Sequence, residues 1–267
     1  MDLIKIAEEA FATGKQHPSF KAGDTITVNS NIKLYAVVFN RSAEEDLTLS
    51  ELLQSASSWK IGNGSSRGYN HIIFVGDSRT NRMQRTLQNL NSGYYESNLL
   101  RDIDFVYEEG KGLEWLKSQG MNTVLSIAEE NYSVLKPTAV IFNLGVNDPG
   151  NMYDYISYYQ EIAESLQKKN CKLFFMSVNP VNSKTIEYLG KNAIRKEEVI
   201  RKFNSVVCSA LGSTFEYIDT YSYLMENGYG TNISGTGVDL PDDDGLHYTT
   251  KTYKRIFKYC LDYLILH

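Results

Sequence analysis

The sequence predicts an α/β fold built on a parallel sheet with helices on both faces. Five short, nearly continuous apolar runs rich in Ile, Val, Phe and Tyr lie at 71–75, 104–107, 138–144, 172–178 and 214–218. That is the pattern of strands buried on both faces. Helical patterns follow at 79–90, 112–119, 153–169, 193–211 and 249–264. Strands alternating with helices specify parallel pairing through crossover connections.

The first run, His71–Val75, leads into Gly76-Asp77-Ser78-Arg79-Thr80, where a glycine turns the chain off the sheet and small polar residues open a helix. The second passes through Glu109-Gly110-Lys111-Gly112 into its helix. The third ends in Gly145-Val146-Asn147-Asp148-Pro149-Gly150 and the fourth in Asn179-Pro180-Val181-Asn182. In the helix at 193–211, Ile194, Val199, Ile200, Phe203, Val206 and Val207 recur at helical spacing with Arg and Lys between them. Asp242-Asp243-Asp244-Gly245-Leu246-His247-Tyr248 precedes the last helix. Active sites of parallel sheets gather at the carboxyl ends of the strands, so these loops are where the chemistry is sought.

Each loop also has a plain structural reading. Asp77, Ser78 and Thr80 are N-cap residues; 145–150 is turn chemistry; an acidic run at 242–244 is ordinarily a solvated loop. A calcium loop fails on spacing, because Gly245 in the sixth position puts Leu240 first and Lys251 twelfth. The functional reading pairs Asp244 with His247: three residues apart in a turn, the carboxylate reaches the Nδ1–H and leaves Nε2 to accept a proton. Ser78 would present its hydroxyl and N–H at the same sheet edge, with the Asn147 amide as a donor. A glycine at 110 or 112 would let a backbone N–H approach a substrate oxygen.

The set Gly76-Asp77-Ser78, Gly112, Gly145-Val146-Asn147-Asp148 and Asp244-Gly245-Leu246-His247, in that order, resembles the sequence blocks of the SGNH/GDSL hydrolase family over roughly residues 70–265. The resemblance implies a flavodoxin-like three-layer α/β/α sandwich with a five-stranded parallel sheet. It implies a serine esterase with Ser78 as nucleophile, His247 as base and Asp244 as acid. The oxyanion donors would be Ser78, Gly112 and Asn147; Gly112 is preferred to Gly110 because it opens the helix. No metal or organic cofactor is needed. An O-acyltransferase using the same triad, or a lipase- or thioesterase-like hydrolase, is the alternative. The α/β-hydrolase elbow needs Gly-x-Ser-x-Gly, and position 80 is Thr. Arg79, Asn179 and Val181 are candidates for lining the pocket.

Within the 267 residues, 61–69 reads as a Gly/Ser/Asn linker between an N-terminal accessory segment, 1–60, and a hydrolase domain, 70–267. Alternating β-formers flank Asn29-Ser30-Asn31 as a hairpin. This stretch is similar to the closing half of a Listeria–Bacteroides-type surface repeat, at about 10–39. That likeness implies an exported, surface-displayed parent protein acting on acylated, chiefly acetylated, carbohydrate or cell-wall polysaccharide. Alternatively, Leu47, Leu49, Leu52 and Leu53 form a helix face docked on the catalytic domain. The start, Met1-Asp2-Leu3-Ile4, is no signal peptide, so a cytoplasmic protein or a processed piece of an exported one is expected.

The formal net charge of −5 lacks the basic footprint of a nucleic-acid binder. No apolar run approaches the roughly 18 residues a membrane span needs. Cys171, Cys208 and Cys260 read as free thiols, and four histidines without a Cys/His cluster predict no zinc site. Tyr153, Tyr155, Tyr158 and Tyr159 share one helix, either as a sugar-stacking platform or as helix packing with wet hydroxyls.

Overall fold

A computed structural model of the chain describes residues 46–62, 68–91, 99–190, 194–231 and 244–267. The hairpin and repeat-like stretch at 10–39, most of the Gly/Ser segment, and Asp242 and Asp243 lie outside the described residues.

The five expected strands are β1 (His71–Gly76), β2 (Ile103–Tyr107), β3 (Thr138–Asn143), β4 (Cys171–Met176) and β5 (Glu216–Ile218). They form one sheet in the order β2-β1-β3-β4-β5, every pairing parallel. This is the flavodoxin-type strand order, with its reversal point beside β1. Alternate residues of each strand face opposite layers. Ile73, Val75, Val140, Phe142, Leu173 and Phe175 enter one core with helices α4 (Met121–Glu130), α5 (Met152–Gln167) and α7 (Glu197–Leu211). Ile72, Phe74, Ala139, Ile141, Phe174 and Met176 enter the other with α2 (Ser78–Asn91) and α9 (Thr250–Leu266).

Helix α1 (Leu49–Ser58) belongs to this second core. Thr48 and Glu51 cap it reciprocally, and Leu52 and Trp59 are fully buried. Ser55 Oγ donates to Asp262 at 2.6 Å on α9, and buried Lys254 donates to Asp46 and to the Leu47 carbonyl. The Tyr69 N–H returns to the Trp59 carbonyl at 3.2 Å. Residues 46–62 thus share a core with the strands and helices that follow residue 69. The docked-helix alternative describes residues 46–62.

Two helix expectations need correction. The pattern read as 112–119 continues to Glu130: a short helix α3 (Leu113–Trp115) passes through a π-turn at Leu116–Gly120 into α4. Gly120, a helix breaker by propensity, sits inside this run, where an added Cβ would press on the Trp115 ring. Helix α7 starts at Glu197 and not at 193, because Lys196 is extended and Ser183 Oγ, from α6 (Ser183–Tyr188), accepts the Glu197 N–H. Helix α8 (Thr220–Asn227), capped by Asp219, has no counterpart among the helical patterns of the sequence.

Candidate active site

Strand β1 delivers the chain at Gly76 into α2, and the two readings of this turn fall on different residues. Asp77 does the capping: its Oδ1 accepts the Arg79 N–H at 2.9 Å. Ser78 is thereby left with its hydroxyl free for another partner, which is His247. Ser78 Oγ and His247 Nε2 are 2.8 Å apart, and His247 Nδ1 and Asp244 Oδ2 are 2.6 Å apart. Asp244 Oδ1 accepts the N–H groups of Leu246 and His247, each at 2.8 Å. The carboxylate is therefore fixed by its own turn, and Gly245, at φ +72°, supplies the left-handed residue that the turn requires.

The three side chains are largely withdrawn from water, the His247 ring keeping 11% of its surface exposed and Asp244 8%. Burial holds the His247 imidazole below its ordinary value, against the opposing pull of Asp244. Burial alone would raise the Asp244 carboxyl. The His247 hydrogen bond and charge, with the two backbone N–H groups, outweigh it and bring the carboxyl down to about 2. At neutral pH the set is thus a carboxylate, a neutral imidazole and a serine, so Nδ1 carries the proton and Nε2 is the acceptor.

The ends of β2 and β3 flank β1, Gly76 pairing with Tyr107 on one side and Asn143 on the other. The two loops that follow are joined to each other. Asn147 Nδ2 donates to the Lys111 carbonyl at 2.7 Å. Asp148 Oδ2 accepts the Leu113 N–H at 2.9 Å, and Oδ1 accepts the Tyr155 hydroxyl at 2.7 Å. A Cβ on Gly112 would lie 2.3 Å from that carboxylate, so only glycine fits there. A Cβ on Gly110 would meet nothing within 4 Å; the close approach belongs to 112. Gly145, at φ +126°, lies against the Phe203 ring, again without room for a Cβ. Buried Tyr155 and Tyr159 are core residues and Tyr153 faces solvent, so the tyrosine cluster is helix packing, with one hydroxyl recruited to Asp148.

The three pocket candidates are all buried. Arg79, Asn179 and Val181 are 3%, 2% and 3% exposed. Arg79 spends its guanidinium on the carbonyls of Leu246, Asn179 and Pro180, at 2.9–3.0 Å, and stacks on Tyr248. It clamps the His247 loop to the end of β4. Asn179 accepts from Thr220, and the Val181 N–H donates to Glu197. The planar fork of Arg79 thus ties three carbonyls from two loops together.

Sequence reasoning passed over Asp148 as a bracing residue, although it follows Asn147 directly. It also passed over Arg195, whose Nη2 donates to Asn147 Oδ1 at 2.7 Å. Arg195 also feels the charges of Asp77 and Asp244. Among the described residues, no three His, Cys, Asp or Glu side chains gather as a metal site would require. A groove of about 400 Å³ lined by Glu129, Tyr132, Ser165, Lys168 and Lys169 lies near the amino-terminal ends of β3 and β4, away from this chemistry.

Residues 72–260 match the GDSL-like lipase/acylhydrolase family. Among solved structures, a GDSL-like lipase from Bacteroides thetaiotaomicron is 16% identical, with a TM-score of 0.48 over 73% of this chain and 87% of that one. A member of the lipolytic G-D-S-L family from Veillonella parvula is 18% identical, with a TM-score of 0.43 over 71% and 94%. Separately, 33 residues of the chain, 12% of it, are 79% identical to large ribosomal subunit protein bL19 of Parabacteroides distasonis, spanning 29% of that protein's length. None of these matches is to a surface repeat.

Proposed function

Because the chain belongs to the GDSL-like lipase/acylhydrolase family of esterase-type hydrolases, we propose that it cleaves acyl esters by two-step acyl transfer at Ser78. The observation that carries this reading is the continuous hydrogen-bonded chain Ser78 Oγ–His247 Nε2–His247 Nδ1–Asp244 Oδ2. His247 takes the Ser78 proton as Oγ attacks the ester carbonyl. Asp244 holds the imidazole in the Nδ1–H tautomer and offsets the charge that forms on it. The oxyanion is received by the N–H groups of Ser78 and Gly112 and by the Asn147 amide. Losing one such donor typically costs about 2.7–4 kcal/mol in the barrier. His247 then returns its proton to the leaving alcohol, and water resolves the acyl-enzyme along the same path.

Within this activity we propose acetyl esters on carbohydrate as the substrate class, an extension that rests on sequence reading alone. The test compares p-nitrophenyl acetate, butyrate and octanoate with a panel of O-acetylated polysaccharides, each with and without acceptor sugars. Release of acetate from the polysaccharides, with p-nitrophenyl acetate the best aryl ester, supports the reading. Preference for octanoate, or transfer to sugars outpacing hydrolysis, overturns the substrate class. Absence of any ester cleavage overturns the activity itself.

A further inference from the structure

Asn147 is the one proposed oxyanion donor that could face the wrong way, because an amide turned by 180° offers its oxygen where an oxyanion must sit. Its surroundings determine which end points where. The Lys111 carbonyl, which only accepts, takes the Nδ2 end at 2.7 Å. The Arg195 guanidinium, which only donates, takes the Oδ1 end at 2.7 Å. The two constraints agree, and the second Nδ2 hydrogen is left for the reaction.

Arg195 does this from an unusual position. It lies just before α7, 48 residues from Asn147. Its Nε is buried with no hydrogen-bond partner, a cost that folded proteins seldom bear without reason. Its half-buried guanidinium also feels the charge of the buried Arg79 and those of the Asp77 and Asp244 carboxyls. A guanidinium against Oδ1 draws electron density through the amide and makes its N–H the stronger donor. That gain is largest when negative charge develops opposite it.

We propose that Arg195 is a positioning residue of the oxyanion site, locking the Asn147 amide with its N–H toward the reacting carbonyl and polarising it. The inference rests on the acyl-transfer reading above, in which Asn147 is an oxyanion donor. Arg195 acts through Asn147 and touches no substrate, so its loss should appear in kcat and not in KM.

The test is a double-mutant cycle on p-nitrophenyl acetate with Arg195→Leu, Asn147→Ala and the pair, with melting temperatures recorded for each. The expected result is a kcat about 10–100-fold lower for Arg195→Leu with KM within about 3-fold. Asn147→Ala should lose about 100–1,000-fold, and the pair should lose no more than Asn147→Ala alone, because one effect runs through the other. Arg195→Lys, which keeps the charge and one N–H, should recover most of the kcat. Should Arg195→Leu fail to fold, Arg195→Gln takes its place in the same cycle. A normal loss for Asn147→Ala with wild-type kcat in Arg195→Leu overturns the proposal and leaves the acyl-transfer reading standing. So does a pair whose losses multiply. An Asn147→Ala enzyme with wild-type kcat removes the oxyanion role of Asn147, and the proposal falls with it.

Discussion

Asp148 Oδ2 accepts the backbone N–H of Leu113 at 2.9 Å, joining the loop after β3 to the loop after β2 across 35 residues of sequence. Its other oxygen accepts the Tyr155 hydroxyl. Both acceptors are in use, and Gly112 rests directly on the carboxylate. Burial, then the Asp148 charge, pushes the Tyr155 phenol far above its ordinary value, so the hydroxyl stays a neutral donor at every pH the protein tolerates.

Asp148→Asn should therefore be damaging despite its near-identical shape. An amide has one acceptor oxygen, so one donor loses its partner and faces an NH2 group. We expect about 1–3 kcal/mol of lost stability and a kcat at least about 10-fold lower as the Gly112 loop loosens. Tyr155→Phe removes one donor only and should cost about 1 kcal/mol with a smaller effect on kcat. Denaturant titration and steady-state kinetics on one aryl ester read both; equal effects from the two variants would refute this division of labour.

Ser78→Ala should lower kcat by about 10³-fold or more while the melting temperature stays close to wild type, since the helix cap belongs to Asp77. More than about a tenth of wild-type activity would remove Ser78 as nucleophile.

The pH profile follows from the His247 and Asp244 environments. Catalysis needs neutral His247, whose folded pKa is held below the ordinary 6.5. The kcat/KM profile should therefore rise with a midpoint under 6.5 and be flat above it. A depressed folded pKa stabilises the fold above the unfolded value and loses that contribution on acidification. For Asp244 this means loss between 3.8 and about 2. Asp77 has the opposite sign. Burial, opposed by Arg79 and its N–H, raises its carboxyl to about 6, so its contribution falls as pH climbs from 3.8 through 6. Asp77→Asn should gain stability over wild type above about pH 6, and thermal melts from pH 4 to 8 would expose a wrong sign.

A chain beginning at Tyr69 should be unstable or insoluble, because it lacks Leu52 and Trp59, both fully buried. Leu52→Ala in the intact chain should cost about 2–5 kcal/mol, measured by denaturant titration. A soluble truncation with the wild-type midpoint would instead support residues before 61 as an accessory piece.

The sheet was legible because buried parallel strands leave continuous apolar runs, such as Val140-Ile141-Phe142. The short β5 was expected two residues early, where Thr214 and Phe215 instead close the turn after α7 through the Leu211 carbonyl. The π-turn at Leu116–Gly120 was not legible because glycine is a helix breaker by propensity, and only its packing on the Trp115 ring gives it a place inside the run. The start of α7 was not legible because it is set by the Ser183–Glu197 hydrogen bond and not by apolar spacing. Ser78, Asp244 and His247 carried local signals: a strand-to-helix turn and a carboxylate–imidazole spacing. Arg79 and Arg195 carried none, because what defines them is the meeting of loops about 100 and 48 residues away.

The packing of α1 on α9 also has a kinetic consequence. The Ser55–Asp262 bond spans 207 residues, nearly the whole described chain. At ribosomal speeds of about 5–20 residues per second, α1 emerges roughly 10–40 seconds before its partner exists. Throughout that interval Leu52 and Trp59 lack the α9 part of the core they belong to, and for most of it Ser78 has no His247. The nascent chain is therefore at its stickiest while it is still catalytically silent. Long-range closure of this kind slows folding, and slowing translation between α1 and α9 lengthens the exposed interval, so synonymous slow codons placed there should raise chaperone dependence and lower the soluble yield.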